Sequence, residues 1–303
     1  LSQNNKVFVF SRDEGKQALL YGSSEKVQCI IGDIRDFDKL SVSVKRTNPD
    51  LIIHAAALKR IDDMEMHPEE CIKTNVIGSE NVAKAALMND VERCILVSTD
   101  KACQPVNVYG SSKFIAERIF TNFDYHSEST IFSSVRYGNV IASRGSFIPL
   151  WLSQLARGEN IKVTSMEMTR FLFTLEDAVD AVLSAAKVAT GGEVFIPQIK
   201  SFAMDTIVAA VERIHEAPVE VQIIGLRPGE KLHEDMLAAT ELPYSYEVRE
   251  GNLICVRPQY SQRKFTTKWP KYEGTCFNSA LHLNNNVEDL MLLIKRGTAE
   301  GGY

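Results

Sequence analysis

Cys94-Ile95-Leu96-Val97-Ser98-Thr99-Asp100-Lys101, with Tyr109-Gly110-Ser111-Ser112-Lys113 a short way downstream, reads as a strand, a polar strand tip and the opening of a helix. An apolar run without alternation predicts a strand buried on both faces, the habit of a parallel sheet wrapped by helices. The same pattern repeats outward. Val7–Phe10, Cys29–Ile31, Leu51–Ile53 and Ile131–Val135 predict further strands. Between them, Glu69–Met88 places Ile72, Val76, Val82 and Ala86 on one helical face, and Ser111–Phe120 predicts a second helix. Strand, helix and strand in repetition predict an α/β fold built on a parallel sheet.

Ligands of such a sheet bind beyond the carboxyl ends of its strands. Those tips are Ser11-Arg12-Asp13, Gly32-Asp33-Ile34, His54-Ala55-Ala56-Ala57, Ser98-Thr99-Asp100-Lys101 and Arg136-Tyr137-Gly138-Asn139, each polar or small after an apolar run. A Rossmann-like, doubly wound sheet that holds a dinucleotide normally opens with a strand, a Gly-rich turn and a helix. The chain enters a strand directly after Leu1-Ser2-Gln3-Asn4-Asn5 and contains no Gly-x-Gly-x-x-Gly. The expectation is that the first strand, turn and helix are trimmed or absent from it.

Composition bounds the function. The chain has 303 residues, 45% hydrophobic and 24% charged, with 34 Lys and Arg against 39 Asp and Glu, for a net charge of -5. An ordinary globular composition with a slightly acidic balance argues against a nucleic-acid or membrane-surface binder. Every apolar run is interrupted by charge before reaching the length of a spanning helix, and no signal peptide is visible. Six scattered cysteines form no Cys-x-x-Cys pair and predict reduced thiols in a cytoplasmic protein, with no metal site. The length suggests two parts: a cofactor-binding portion over 1–139 and 171–199, and a smaller substrate portion over 140–170 and 200–303.

Tyr109 and Lys113 stand four residues apart, so phenol and ammonium share one helix face. A cation beside a phenol favours phenolate, which suits a general base near neutrality. Ser11-Arg12 falls where the strand tip meets the adenosine ribose in a dinucleotide fold. A hydroxyl and a guanidinium suit a 2′-phosphate, so NADP is expected over NAD, unless Arg12 merely pairs with Asp13 or Glu14. Asp33 with Ile34 is expected at the adenine, the alternative for Asp33 being a helix cap.

Taken together, Asp33, His54-Ala55-Ala56-Ala57, Tyr109 and Lys113 resemble the extended short-chain dehydrogenase/reductase superfamily. Ser98-Thr99-Asp100-Lys101, Arg136-Tyr137-Gly138-Asn139-Val140, Ser143-Arg144-Gly145-Ser146, Met168-Thr169-Arg170-Phe171 and Arg227-Pro228-Gly229-Glu230-Lys231-Leu232-His233-Glu234 resemble the carbon-5-inverting UDP-N-acetylglucosamine 4,6-dehydratases. The resemblance implies that Tyr109 takes the proton of the carbon-4 hydroxyl, assisted by Thr99. Lys101, held neutral, removes the carbon-5 hydrogen while a protonated Asp100 donates to the departing 6-hydroxyl. It also implies that Lys113, Ala55, Ala56, Ala57 and Tyr137 line the cofactor. Lys59, Asn139, Arg144, Arg170, Arg227 and Glu230 would hold the UDP-sugar, the alternative for Lys59 being a solvated face. His233 and Glu234 are set aside as residues of a helix opening at Lys231. Ala142 and Arg60 depart from residues common among relatives.

A 4-epimerase on the same fold, or a catalytically silent NADP or sugar-nucleotide binder, are the competing readings. Related epimerases lack the acid/base pair of Asp100 and Lys101, and a pure binder has no use for it. Assembly into a homo-oligomer is expected by analogy with relatives.

Overall fold

The computed structural model describes residues 4–20, 24–141, 143, 145–263, 265 and 267–301. The first half runs β1 (Val7–Ser11), α1 (Glu14–Ala18), β2 (Val27–Ile31), α2 (Phe37–Thr47), β3 (Leu51–His54), α3 (Ile61–Met66), α4 (Pro68–Cys71), a π-helical turn (Ile72–Ile77), α5 (Gly78–Met88) and β4 (Arg93–Val97). A 3₁₀ turn (Asp100–Ala102), α6 (Val108–Tyr125), β5 (Ile131–Val135), β6 (Asn139–Val140), α7 (Phe147–Ala156), β7 (Ile161–Val163), β8 (Thr169–Phe173), α8 (Leu175–Val188) and β9 (Val194–Pro197) follow. The chain continues through β10 (Ser201–Ala203), α9 (Met204–His215), β11 (Val221–Ile223), β12 (Asp235–Leu237), β13 (Ser245–Val248), β14 (Leu253–Val256), β15 (Phe277–Asn278) and α10 (Val287–Gly301).

The largest sheet has the order β13-β14-β9-β5-β4-β3; β3, β4, β5 and β9 are parallel, and β13 and β14 antiparallel. Cys94, Ile95 and Leu96 of β4 are fully buried because both faces are covered. On one face α2, α5 and α6 pack Leu40, Val44, Val82, Ala86 and Phe120 against Phe132. On the other, Ala181, Val182 and Ala185 of α8 meet Ile95, Val135, Phe195 and Leu253. All five predicted strands are present, and the doubly wound α/β class holds.

β1 and β2 form a separate parallel pair. The edges β1 and β3 line opposite sides of an apolar cavity of about 810 Å³, with Val7, Val9, Ile30, Leu40, Val44, Leu51 and Ile53 on its walls. A doubly wound sheet takes its first strand at this interruption, and no strand of the described residues fills it.

A second core joins Trp151 of α7, Ile161 of β7, Ile207 and Val211 of α9, and Leu290 and Ile294 of α10. Two expectations are corrected. Residues 245–256, expected in the smaller portion, extend the central sheet, because Leu253, Ile254, Cys255 and Val256 are apolar throughout and pair with β9. No helix opens at Lys231; that segment is irregular and leads into β12. Within α10, Gly297 is buried against Ile141, whose Cγ2 would lie 2.8 Å from an added Cβ. Among the described residues, no helix is long and apolar enough to cross a membrane.

Candidate active site

β4 delivers its polar tip into a 3₁₀ turn whose first residue, Asp100, is completely buried. The Asp100 backbone N–H donates to the Tyr137 carbonyl at 2.9 Å, fastening the β4 tip to that of β5. Asp100 Oδ1 accepts from Thr99 Oγ1 and from Lys101 Nζ, each at 2.9 Å, while its Oδ2 is buried without a hydrogen-bond partner. On the far side of the ammonium, Glu234 Oε1 lies 3.4 Å from Lys101 Nζ. Burial works to lower the Lys101 pKa, but Asp100 and Glu234 outweigh it, and Arg170 opposes them only in part; the net shift is upward. The expectation of a neutral Lys101 is therefore corrected: two carboxylates hold it as an ammonium.

Asn107 caps α6, its Oδ1 accepting the Gly110 N–H at 2.6 Å. This starts the helix before Tyr109 and sets the phenol in the first turn. A Cβ on Gly110 would lie 2.2 Å from the Lys101 carbonyl oxygen, so only glycine lets α6 approach the 3₁₀ turn so closely. Burial pushes the Tyr109 phenol up, and the groups opposing this are Lys101 and Thr99. The expectation that Lys113 would lower the phenol is corrected, since desolvation dominates and the influential cation is Lys101. Burial brings Lys113 down to about 8, against Glu117 and Cys71. It is 3% exposed and makes no hydrogen bond among the described residues. The Tyr137 phenol is pushed up by burial and by neighbouring Tyr109.

Ser11, Arg12, Asp33, Ile34, Ala55, Ala56 and Ala57 stand at the tips of β1, β2 and β3. Arg12 pairs with Asp33 Oδ2 at 3.3 Å rather than solely with its chain neighbours. Arg35 reaches the same oxygen at 2.8 Å and, more than Arg12, holds the Asp33 carboxyl below its usual range. Asp33 is no helix cap; Asp36 caps α2. Ile34 is buried in the core under α5. Sequence spacing did not single out Asn75 in the π-helical turn, a device frequent at functional sites. Its side chain accepts from Leu58 N–H and donates to Leu58 O, both at 2.8 Å, fixing the loop that carries Ala55–Ala57 and exposed Lys59.

Of the residues expected at the sugar nucleotide, Asn139 is half-buried, with its Oδ1 unpartnered. Arg227 is bound to Asp62 at 2.7 Å and to Glu230, so these two expected contacts face one another. Arg170 is mostly committed elsewhere: Nη1 donates to Thr169 O and Leu232 O at 2.8 and 3.0 Å, and Nη2 to Lys231 O at 3.0 Å. It straps 231–232 against β8. Arg144 and Ala142 lie outside the described residues. Glu234 was set aside on a helix that does not exist; the observed turn instead aims its carboxylate at Lys101. The final Glu of Arg227–Glu234 was the available signal.

The geometry brings a buried carboxyl, an amine and a phenol to one strand tip, beside a helix carrying a buried lysine with no hydrogen bond among the described residues, a set chemically able to move protons. Residues 1–254 are matched by the model of a family described as polysaccharide biosynthesis protein. The chain is 42% identical over 249 residues to the UDP-N-acetylglucosamine 4,6-dehydratase (inverting) of Campylobacter jejuni serotype O:23/36, covering 80% of this chain and 72% of that protein. It is 36% identical, over 81% of its length and 72% of the relative's, to a UDP-glucose 4-epimerase of Rickettsia massiliae. The solved structure of Pen from Bacillus thuringiensis superposes with a TM-score of 0.86 at 32% identity, covering 96% of this chain and 90% of that one. More distant structures, at 17–18% identity and TM-scores of 0.63–0.71, share the fold, and each of those proteins is described with NAD. Family match, close relatives and one strand-tip geometry agree: this chain belongs to the polysaccharide biosynthesis protein family.

Proposed function

We propose that the chain dehydrates UDP-N-acetylglucosamine to a UDP-4-keto-6-deoxy-hexosamine with inversion at carbon 5, using NADP, in the making of surface polysaccharide or glycan. The observation that carries this is the Lys101–Asp100 contact of 2.9 Å, buried beside Tyr109. The residues fit a nicotinamide cofactor: Lys113 is a buried donor that lacks an acceptor, as a ribose hydroxyl would supply, and Arg12 with Arg35 offers two guanidinium groups for a 2′-phosphate. A bound nicotinamide would supply the hydride chemistry of the reaction, accepting from carbon 4 and giving back at carbon 6.

The chain's own residues handle the protons. Tyr109, as the phenolate that Lys101 and Thr99 favour against burial and that the positive charge of a bound nicotinamide would favour further, accepts the carbon-4 hydroxyl proton, and the resulting ketone acidifies the carbon-5 hydrogen. One transfer within the ion pair, from Lys101 Nζ to Asp100, makes a neutral amine and a carboxylic acid together. The amine then removes the carbon-5 proton, and Asp100 protonates the leaving 6-hydroxyl as water. This returns the pair to ammonium and carboxylate; as carbon 6 gains hydride, carbon 5 takes a solvent-derived proton on the face opposite the one it lost, which gives the inversion, and Tyr109 releases the carbon-4 hydroxyl proton to solvent. Asn139, Glu230 and Arg227 would hold the sugar nucleotide, with Arg227 leaving Asp62 or Glu230 as a diphosphate arrives.

The relatives named epimerases support a second reading, in which only the carbon-4 chemistry occurs. Full-length protein loaded with NADP or NAD is incubated with UDP-N-acetylglucosamine and the product read by NMR. A 4-keto-6-deoxy sugar, formed faster with NADP, is expected. A 4-epimer supports the second reading, and no turnover supports a silent binder.

A further inference from the structure

We propose that Glu234 is a positioning residue that sets the proton affinity of Lys101, so that the elimination base is a lysine gripped between two carboxylates. The inference deepens the dehydratase reading and rests on it. Glu234 is 2% exposed, its Oε1 lies 3.4 Å from Lys101 Nζ, and its Oε2 is buried with no hydrogen-bond partner. A buried carboxylate without full pairing is costly, and it is retained here against one specific ammonium.

The backbone holds it there. Glu234 N–H donates to Ser279 Oγ at 2.8 Å, and Ser279 N–H donates back to the Glu234 carbonyl at 2.8 Å. Ser279 Oγ also meets Thr169 Oγ1 at 2.6 Å, and Thr169 Oγ1 meets His233 Nδ1 at 2.9 Å, so β8 and the segment after β15 fix the turn from both sides. Upstream, Lys231 Nζ donates to the Cys103 carbonyl at 2.8 Å, which ties the turn to the end of the 3₁₀ turn itself.

The charged or titratable groups facing Lys101 are Asp100 from its own turn, Glu234 from the segment before β12, Arg170 from β8 and Tyr109 from α6. Asp100 must become an acid during elimination, so it cannot also remain the anion that steadies the new ammonium. Glu234 can. As Lys101 takes the carbon-5 proton, the Glu234 carboxylate stabilises the charge that appears, and no proton moves to or from Glu234. Its removal weakens the pair's hold on protons.

Two measurements on Glu234→Gln and Glu234→Asp in the full-length protein test this. In Glu234→Gln, kcat falls about tenfold or more with KM little changed, and the acid limb of the kcat profile moves to lower pH; Glu234→Asp restores part of both. A purely structural role would lower kcat and leave the limb in place. Reductive methylation of Lys101 at fixed alkaline pH, followed by mass spectrometry, needs no turnover. Labelling is about tenfold faster in Glu234→Gln if the lysine pKa drops one unit, and slow in Glu234→Asp. Wild-type protein that makes no keto sugar would overturn the dehydratase reading alone. Unchanged labelling and an unmoved acid limb would overturn the role of Glu234.

Discussion

Tyr109 and Lys113 owe their proton affinities to burial, and Lys101 to the two carboxylates that outweigh it, rather than to pairwise spacing along the chain. Four residues of helix separate Tyr109 from Lys113, and that spacing pointed to the site, but not to which cation acts on which phenol. Lys113 shows the consequence most plainly. Its pKa is brought down to about 8, so below that pH it is an ammonium able to donate and above it a neutral amine. NADP affinity, measured by titration calorimetry, should therefore weaken as pH rises through about 8, because binding favours the protonated donor. Lys113→Met should bind more weakly and lose this pH dependence. An identical pH dependence in the variant would remove Lys113 from the ribose.

At the scale of elements, the site depends on how closely α6 approaches the turn after β4. Gly110 is the point of contact, and the Lys101 carbonyl fills the space that a side chain would need. Gly110→Ala should push Tyr109 away from Lys101 and lower kcat about 10²-fold, the size of effect expected for a displacement near 1 Å, while NADP binding at the β1 and β2 tips persists. A normal kcat would mean that the helix start has slack. The strands around this contact were legible because Cys94–Val97 and its counterparts are uninterrupted apolar runs buried on both faces. The π-helical turn at Ile72–Ile77 was not, since Glu69–Met88 keeps a helical apolar pattern throughout and the irregularity comes from Asn75 reaching Leu58. The turn at 231–234 was misread as a helix because its conformation comes from Arg170, Lys231 and Ser279, contacts made by residues distant in sequence.

For the molecule as a whole, Arg136 joins the central sheet to the segment that covers it. It is 1% exposed, with Nη2 donating to Glu117 Oε2 at 2.7 Å, and Nη1 donating to Glu241 Oε2 at 2.9 Å and to the Met236 carbonyl at 2.8 Å. The tip motif around Tyr137 revealed where β5 ends, but the partners of Arg136 lie on α6, in β12 and just beyond it, outside any local pattern. Glu117→Ala would leave a buried guanidinium short of charge and should cost about 3–5 kcal/mol in urea denaturation; a change under about 1 kcal/mol would show that water or Glu241 compensates. Residues 245–256 likewise read as part of the smaller portion until the pairing of β14 with β9 is known, because an antiparallel hairpin has no sequence mark of the sheet it joins.

The central claim is that Lys101 and Asp100 act together on a hexose ring beside Tyr109. The most direct measurement is turnover of UDP-N-acetylglucosamine in deuterated water by full-length wild-type protein and by Lys101→Ala, with deuterium located by NMR. The account predicts one deuterium at carbon 5 of a 4-keto-6-deoxy product from the wild type, and no dehydrated product from Lys101→Ala even though the cofactor stays bound. An unlabelled 4-epimer from the wild type, or a labelled keto sugar formed at near-normal rate by Lys101→Ala, would contradict it.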